Sequence, residues 1–66
     1  MRPVEQLYRD FCERIALACE HEANLYERHP SLQEEDQQFV RVLREKCRQW
    51  RRQVESIEAA HGGMAA

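Results

Sequence analysis

The chain has 66 residues, of which 42% are hydrophobic and 33% charged, and its ten Lys and Arg against twelve Asp and Glu give a formal net charge of -2. This balance argues against a chain-wide attraction to nucleic acid or to a membrane surface, and the apolar content is too high for a generally disordered chain. A chain this short buries only about 60% of the surface that its unfolded form exposes. We therefore expect one marginal domain over residues 1–66 that needs further stabilisation from outside its own core.

The cysteine content and the apolar runs indicate a cellular setting. Cys12, Cys19 and Cys47 cannot all pair within one chain, and an odd count without a signal sequence favours a reducing compartment. No apolar run approaches the ~20 residues needed to span a bilayer. We expect a cytoplasmic protein with free thiols and no membrane association.

The first predicted element is a helix over about residues 4–28. Pro3 suits the first helical turn, and neither Gly nor Pro follows until Pro30. Apolar residues recur at steps of three and four, with Glu22 as the exception, and the pattern is typical of a helix that buries one stripe. The stripe comprises Val4, Tyr8, Phe11, Ile15, Ala18 and Leu25, and Leu7, Cys12, Cys19 and Tyr26 widen it.

The second predicted element is the joint at residues 29–31. Pro30 disfavours helical geometry at His29 and cannot continue the preceding helix. Ser31 is a favourable N-cap and Glu34 follows three residues later, which is the pattern of a capping box. A joint this short places the two helices antiparallel.

The third element is a helix over about residues 32–60, which Gly62 and Gly63 would end, followed by a flexible tail at 62–66. Its apolar residues keep the same steps of three and four. They are Val40, Leu43, Cys47, Trp50, Val54 and Ile57, flanked by Phe39 and Val42.

The sequence thus predicts an all-α fold: an antiparallel two-helix hairpin of the coiled-coil type, with Phe11 near Trp50 in its thickest layer. Two helices leave stripes this wide partly exposed, and such a surface marks an association site. The simplest arrangement is a homodimer that forms a four-helix bundle. A different partner protein would cover the same surface, and a monomeric hairpin with a loose core is the remaining alternative.

The functional hypothesis is a small non-enzymatic protein–protein interaction module, a homodimeric regulator, inhibitor or co-chaperone of a partner protein whose identity the sequence does not give. The residues expected to form the dimer core or to bind the partner are Leu7, Tyr8, Phe11, Ile15, Phe39, Leu43, Trp50, Val54 and Ile57.

The alternative function is nucleic-acid binding by a basic ridge on the second helix. Arg41, Arg44, Arg48 and Arg51 follow three-four spacing, and arginine forks suit phosphates. The same ridge could instead pair with acids of the first helix, for which Asp10, Glu13 and Glu20 lie at suitable heights. We favour the structural interpretation, because the net charge is negative.

Neither a metal site, a cofactor site nor a catalytic site is predicted. Cys12 and Cys19 are two helical turns apart, about 10 Å, which is too far for both to bind one zinc ion. The sequence has no Gly-rich phosphate loop and no His-Glu-x-x-His pattern.

One tripeptide resembles a known family. Leu7-Tyr8-Arg9, with Phe11 following, is similar to the motif that names the LYR family of mitochondrial assembly factors. That resemblance implies a longer three-helix fold and binding to acyl carrier protein. The match covers three residues, and the apolar stripe already accounts for Leu7 and Tyr8 as core positions.

Overall fold

The computed structural model describes residues 2–62, and within that range it is all-helical. Helix α1 spans Pro3–Glu27 and helix α2 spans Glu34–Gly62, and the two helices pack against each other. The all-α prediction is confirmed. Most of the tail predicted to be flexible, residues 63–66, lies outside the described residues.

The two helices run antiparallel in a single layer. Residues early in α1 contact residues late in α2, as Phe11 does with Trp50, and residues late in α1 contact residues early in α2, as Tyr26 does with Phe39. The molecule measures 48 × 18 × 14 Å, with a radius of gyration of 15.1 Å. A compact chain of this length would have a radius of about 11 Å. The hairpin is therefore a rod with one interface between its helices.

Backbone chemistry explains both ends of α1. Pro3 occupies the first turn, where its missing N–H has no helical partner in any case, and the Arg2 carbonyl accepts the N–H of Gln6 at 3.0 Å. At the other end the N–H of Arg28 donates to the Asn24 carbonyl at 3.2 Å. The helix stops there because Pro30 follows two residues later.

Helix α2 begins later than the capping box predicts, and the prediction of Ser31 as its N-cap is wrong. The Ser31 N–H donates to Nδ1 of His29 at 3.2 Å, so this residue belongs to the turn after Pro30. The helix starts after Gln33, whose N–H donates to Oδ2 of Asp36 at 3.0 Å. Asp36 thus makes the reciprocal bond of a capping box that was expected of Glu34.

The face of α1 that meets α2 also differs from the prediction. The buried residues are Cys12, Ala16 and Ala23. They come directly after Phe11 and Ile15 of the predicted stripe and after Glu22, the charged exception within it. Val4 is 73% exposed and Phe11 46% exposed. The central line of the predicted stripe on α1 is therefore wrong by about 100° of rotation, whereas Cys12, which was predicted to widen the stripe, is fully buried. Small side chains let the two backbones approach closely, whereas larger ones pack beside the line of contact.

Helix α2 presents the predicted stripe to its neighbour. Val40 and Cys47 are buried, and Leu43, Trp50, Val54 and Ile57 are half-buried. The buried hydrophobic core of the described residues contains nothing larger than valine. Most of the large apolar side chains consequently lie outside the contact between the helices.

Candidate functional site

The line of contact between α1 and α2 separates two chemically different sides. On one side, cross-helix contacts are made by aromatic rings, as in the pair Phe11 and Trp50. On the other side they are made by ion pairs, as between Arg9 and Glu58. Because residues three and four positions apart lie on one side of a helix, aromatic contacts repeat along one side of the rod and ion pairs along the other.

The aromatic face is the surface formed by large apolar side chains on the first of these sides. Seven of them, together with the small residue Ala18, come from α1, where spacing of three and four keeps them in one band about 100° from the buried seam. The aromatic face comprises Val4, Leu7, Tyr8, Phe11, Ile15, Ala18, Leu25 and Tyr26 of α1, with Phe39, Val42, Trp50 and Ile57 of α2.

Two edge-to-face ring pairs fix the geometry of this face. The rings of Phe11 and Trp50 lie 6.2 Å apart at 90°, and those of Tyr26 and Phe39 lie 5.2 Å apart at 80°. Such arrangements place the positive edge of one ring against the negative face of the other. All four side chains nevertheless remain partly or largely exposed to solvent.

A shallow groove continues the aromatic face towards the open end of the hairpin. It has a volume of about 360 Å³ and is lined mainly by Val4, Tyr8, Ile57 and Ala60. Its polar edge includes His61, which pairs with Glu5. Hydrogen bonding to Arg2, with the charge of His61 adding to it, lowers the pKa of the Glu5 carboxyl below its ordinary value of 4.5.

Three charged side chains interrupt the band. Arg14 and Glu22 belong to α1, four residues before and four residues after Ala18, and Lys46 belongs to α2. All three are exposed, and none makes an ion pair with another residue in the range 2–62. Their charges are available to a molecule that covers the face.

The ionic flank is the opposite side of the contact line, formed by Arg9, Glu13, Glu20, Glu27, Arg44, Arg51 and Glu58. Nε of Arg9 donates to Oε1 of Glu58 at 2.8 Å, and its Nη1 donates to Glu13 at 2.6 Å. These hydrogen bonds raise the pKa of Arg9. The flank fixes the register of the hairpin, and its groove of about 230 Å³ is lined in part by Ala16, Leu17 and Val54.

Part of the basic ridge belongs to this flank. Arg44 pairs with Glu27 and donates to Oδ1 of Asn24 at 3.2 Å, and Arg51 pairs with Glu20. Arg48 pairs within its own helix with Glu45 at 2.7 Å, which lowers the pKa of the Glu45 carboxyl.

The acids expected to meet the ridge are thus correct only for Glu20. Asp10 and Glu13 both bind Arg9 instead. Arg41 is the one ridge residue that makes no ion pair with any residue in the described range.

Cys47 lies at the base of a small cleft beside the ridge. Nε of Arg51 donates to the Cys47 sulfur at 3.3 Å, and this contact raises the pKa of Arg51. Glu20, Arg44 and Arg48 complete the cleft, whose volume is about 160 Å³. Each of the three arginines already has an acidic partner.

Cys12, Cys19 and Cys47 are all free thiols in the structure. Within residues 2–62 no group of three or more His, Cys, Asp and Glu side chains comes together as a metal site would require. Neither described helix is long and apolar enough to cross a lipid bilayer.

The residues predicted to form the dimer core or bind a partner fall in two places. Leu43 and Val54 are half-buried between the helices. The other seven belong to the aromatic face: Leu7, Tyr8, Phe11, Ile15, Phe39, Trp50 and Ile57.

The tripeptide that resembles the LYR motif is divided between the two sides. Leu7 and Tyr8 lie on the aromatic face, where they are 68% and 45% exposed, and not in the hairpin core. Arg9 lies on the ionic flank.

Comparisons with protein families, with curated proteins and with solved structures found no match.

The ring pair of Tyr26 and Phe39 and the Arg9 cluster were not predicted from the sequence. A signal for the Arg9 cluster was present, since Glu13 follows at four residues, which is the spacing of a helical ion pair.

Proposed function

We propose that this chain is a small non-enzymatic interaction module that forms a homodimeric four-helix bundle through its aromatic face and acts on a partner protein as a regulator, inhibitor or co-chaperone. The observation that carries the proposal is the exposure of large apolar side chains on one side of the rod. Val4, Leu7, Leu25 and Val42 are each more than half exposed.

The total exposed area supports association. The accessible surface is 5276 Å², whereas a folded monomer of 7.9 kDa is expected to expose about 4,400 Å². Part of the excess follows from the rod shape of the hairpin, which leaves large apolar side chains in water. A second hairpin laid on the aromatic face would remove these side chains from water.

The division of chemistry between the two sides supports the same conclusion. The ionic flank has its charges satisfied within the chain, so it needs no partner. The aromatic face has apolar atoms in water that only another molecule can cover. An interface between two copies would bury their two partly exposed aromatic faces in the core of one four-helix bundle.

Nucleic-acid binding by the basic ridge has less support. Arg44, Arg48 and Arg51 each have a carboxylate partner, and a phosphate would have to displace it. We therefore assign Arg44 and Arg51, the two ridge residues that pair across the helices, to holding the hairpin together.

A pair of leucine variants tests the proposal. Leu25 on the aromatic face is 51% exposed, and Leu17, on the same helix but outside the face, is 54% exposed. In sedimentation equilibrium we expect Leu25→Glu to weaken dimerisation roughly hundredfold, because it places an unpaired carboxylate in the interface. Leu17→Glu should dimerise like the wild type.

The two variants have the same change in charge and volume and nearly equal starting exposure, so helix propensity and net charge are controlled. If both variants dimerise with the affinity of the wild type, the aromatic face is not the dimer interface. If the wild type sediments as one chain of 7.9 kDa at micromolar concentration, the homodimer is refuted.

A further inference from the structure

We propose that the second copy lies antiparallel on the aromatic face, with Ala18 of the two α1 helices facing each other on the twofold axis and Arg14 of each subunit paired with Glu22 of the partner subunit. This inference rests on the proposed function, because it specifies how the homodimer is built.

The argument begins with charges that have no partner within the described hairpin. Arg14 and Glu22 lie in the apolar band of α1, separated by eight residues and therefore about 12 Å apart along the axis. They are too distant to pair within one helix. Covering the band with a purely apolar partner would bury both charges uncompensated, which is costly.

A twofold axis through Ala18 removes that cost for Arg14 and Glu22. Lys46 of α2 lies at nearly the same height, so the two copies of Lys46 face each other across the axis and extend their ammonium groups to solvent. When two copies of a helix cross antiparallel on such an axis, residues at equal distances before and after the central one face each other. Arg14 is four residues before Ala18 and Glu22 four residues after it, so each arginine meets one carboxylate of the partner and the dimer has two such pairs.

The apolar residues obey the same symmetry. Phe11 is seven residues before Ala18 and Leu25 seven residues after it, and both are about half exposed, at 46% and 51%. In the antiparallel register the ring of one subunit meets the leucine of the other, on either side of the charge pairs. The alanine at the centre lets the two helices approach closely.

The arrangement with both turns at one end leaves a charge unsatisfied. There α1 would lie on α2 of the partner. The pairings of Phe11 with Trp50 and of Tyr26 with Phe39 put Arg14 level with about residues 47–51 and Glu22 level with about residues 39–43. Arg14 would then lie nearer to the partner's Lys46 than Glu22 would, so a like charge would oppose it. Direct parallel contact between the two α1 helices would place Arg14 opposite the partner's Arg14 and Glu22 opposite the partner's Glu22, so like charges would repel.

Charge reversal tests the register in the full chain. We expect Arg14→Glu and Glu22→Arg each to weaken the dimer about tenfold in sedimentation equilibrium, because two attractive pairs become two repulsive ones. The double variant, Arg14→Glu with Glu22→Arg, exchanges the two charges, so each pair across the interface is attractive again. Its dissociation constant should return to within about twofold of the wild-type value.

Matched controls are available on the far side of α2. Arg52 and Glu55 are exposed, and neither makes an ion pair with another described residue. Arg52→Glu and Glu55→Arg introduce the same changes in net charge and should leave the dimer constant unchanged. Far-ultraviolet circular dichroism on every variant reports whether the helices remain.

Each other outcome overturns the register in a distinguishable way. Equal affinity of all variants, with the dimer intact, refutes the Arg14–Glu22 pairing and leaves the proposed function standing. A dimer that Lys46→Glu strengthens shows that the turns lie at one end, because Arg14 then gains a carboxylate opposite it. A monomeric wild type removes the homodimer itself and this register with it.

Discussion

The aromatic face and the ionic flank lie on opposite sides of one helix contact, and they differ in whether their side chains find partners within the chain. On the ionic flank each long-range contact is complete within the chain, as Arg51 with Glu20 and Arg44 with Glu27 show. On the aromatic face the ring pairs are formed but still half in water. The ionic flank therefore positions the helices, while the aromatic face holds the surface whose burial requires another molecule.

The difference also indicates where stability resides. Exposed ion pairs contribute little, typically 0 to about 1 kcal/mol each, because solvent screens them. Burial of large apolar groups contributes about 1.5–3 kcal/mol per side chain. We expect changes on the aromatic face to outweigh changes on the ionic flank.

The largest effect is expected at Trp50, which is half-buried against Phe11. Trp50→Ala should lower the free energy of unfolding by about 3 kcal/mol under conditions where the dimer forms, because it removes a ring from both the hairpin and the interface. Chemical denaturation followed by circular dichroism measures it. Trp50→Phe, which keeps a ring beside Phe11, should lose much less.

An alanine variant that unfolds at the same denaturant concentration as the wild type would show that Trp50 is not a core residue of the assembly.

A smaller effect is expected on the ionic flank. Arg44→Gln with Arg51→Gln removes two cross-helix ion pairs and should lower the melting temperature by a few degrees at most. Arg41→Gln with Arg52→Gln removes the same charge from arginines that make no ion pair within residues 2–62, and should leave the melting temperature unchanged. Added salt should narrow the difference between these variants.

The same two double variants test the basic ridge for nucleic-acid binding. If the wild type binds RNA or DNA with an affinity that falls steeply with salt, and both double variants lose that binding, the ridge faces a ligand and our structural assignment is wrong.

The smallest effect concerns acid pH. The pKa values of Glu5 and Glu45 are lowered below 4.5 in the folded chain, mainly by hydrogen bonds from Arg2 and Arg48. Their contribution to stability is therefore fully present above pH 4.5 and is lost as the pH falls through the lowered values. Thermal melts across this range should show a decline that Glu5→Gln with Glu45→Gln makes shallower. An equal decline in that variant would assign it to other carboxylates.

The sequence predicted the elements of the hairpin well, because Pro30 and the run without Gly or Pro before it are local signals. It also placed Phe11 against Trp50, since antiparallel pairing about a short joint leaves little freedom. It failed on the rotation of α1. Apolar content alone favoured the stripe through Val4 and Phe11, whereas small residues such as Ala16 form the actual contact.

That error has a physical cause with a functional meaning. A helix with two apolar bands can turn either band towards its neighbour, and hydrophobic spacing does not distinguish an intrachain seam from an intermolecular one. The ion pairs of the ionic flank accompany the observed rotation. With the band of small residues facing α2, Arg9 reaches Glu58, and a long-range pair of this kind cannot be found from local sequence.

The most direct test of the central claim is the mass of the wild-type protein in sedimentation equilibrium at micromolar concentration. A stable assembly through the aromatic face predicts twice the chain mass of 7.9 kDa, with dissociation on dilution. A fully helical protein that keeps the mass of one chain at every concentration would contradict it.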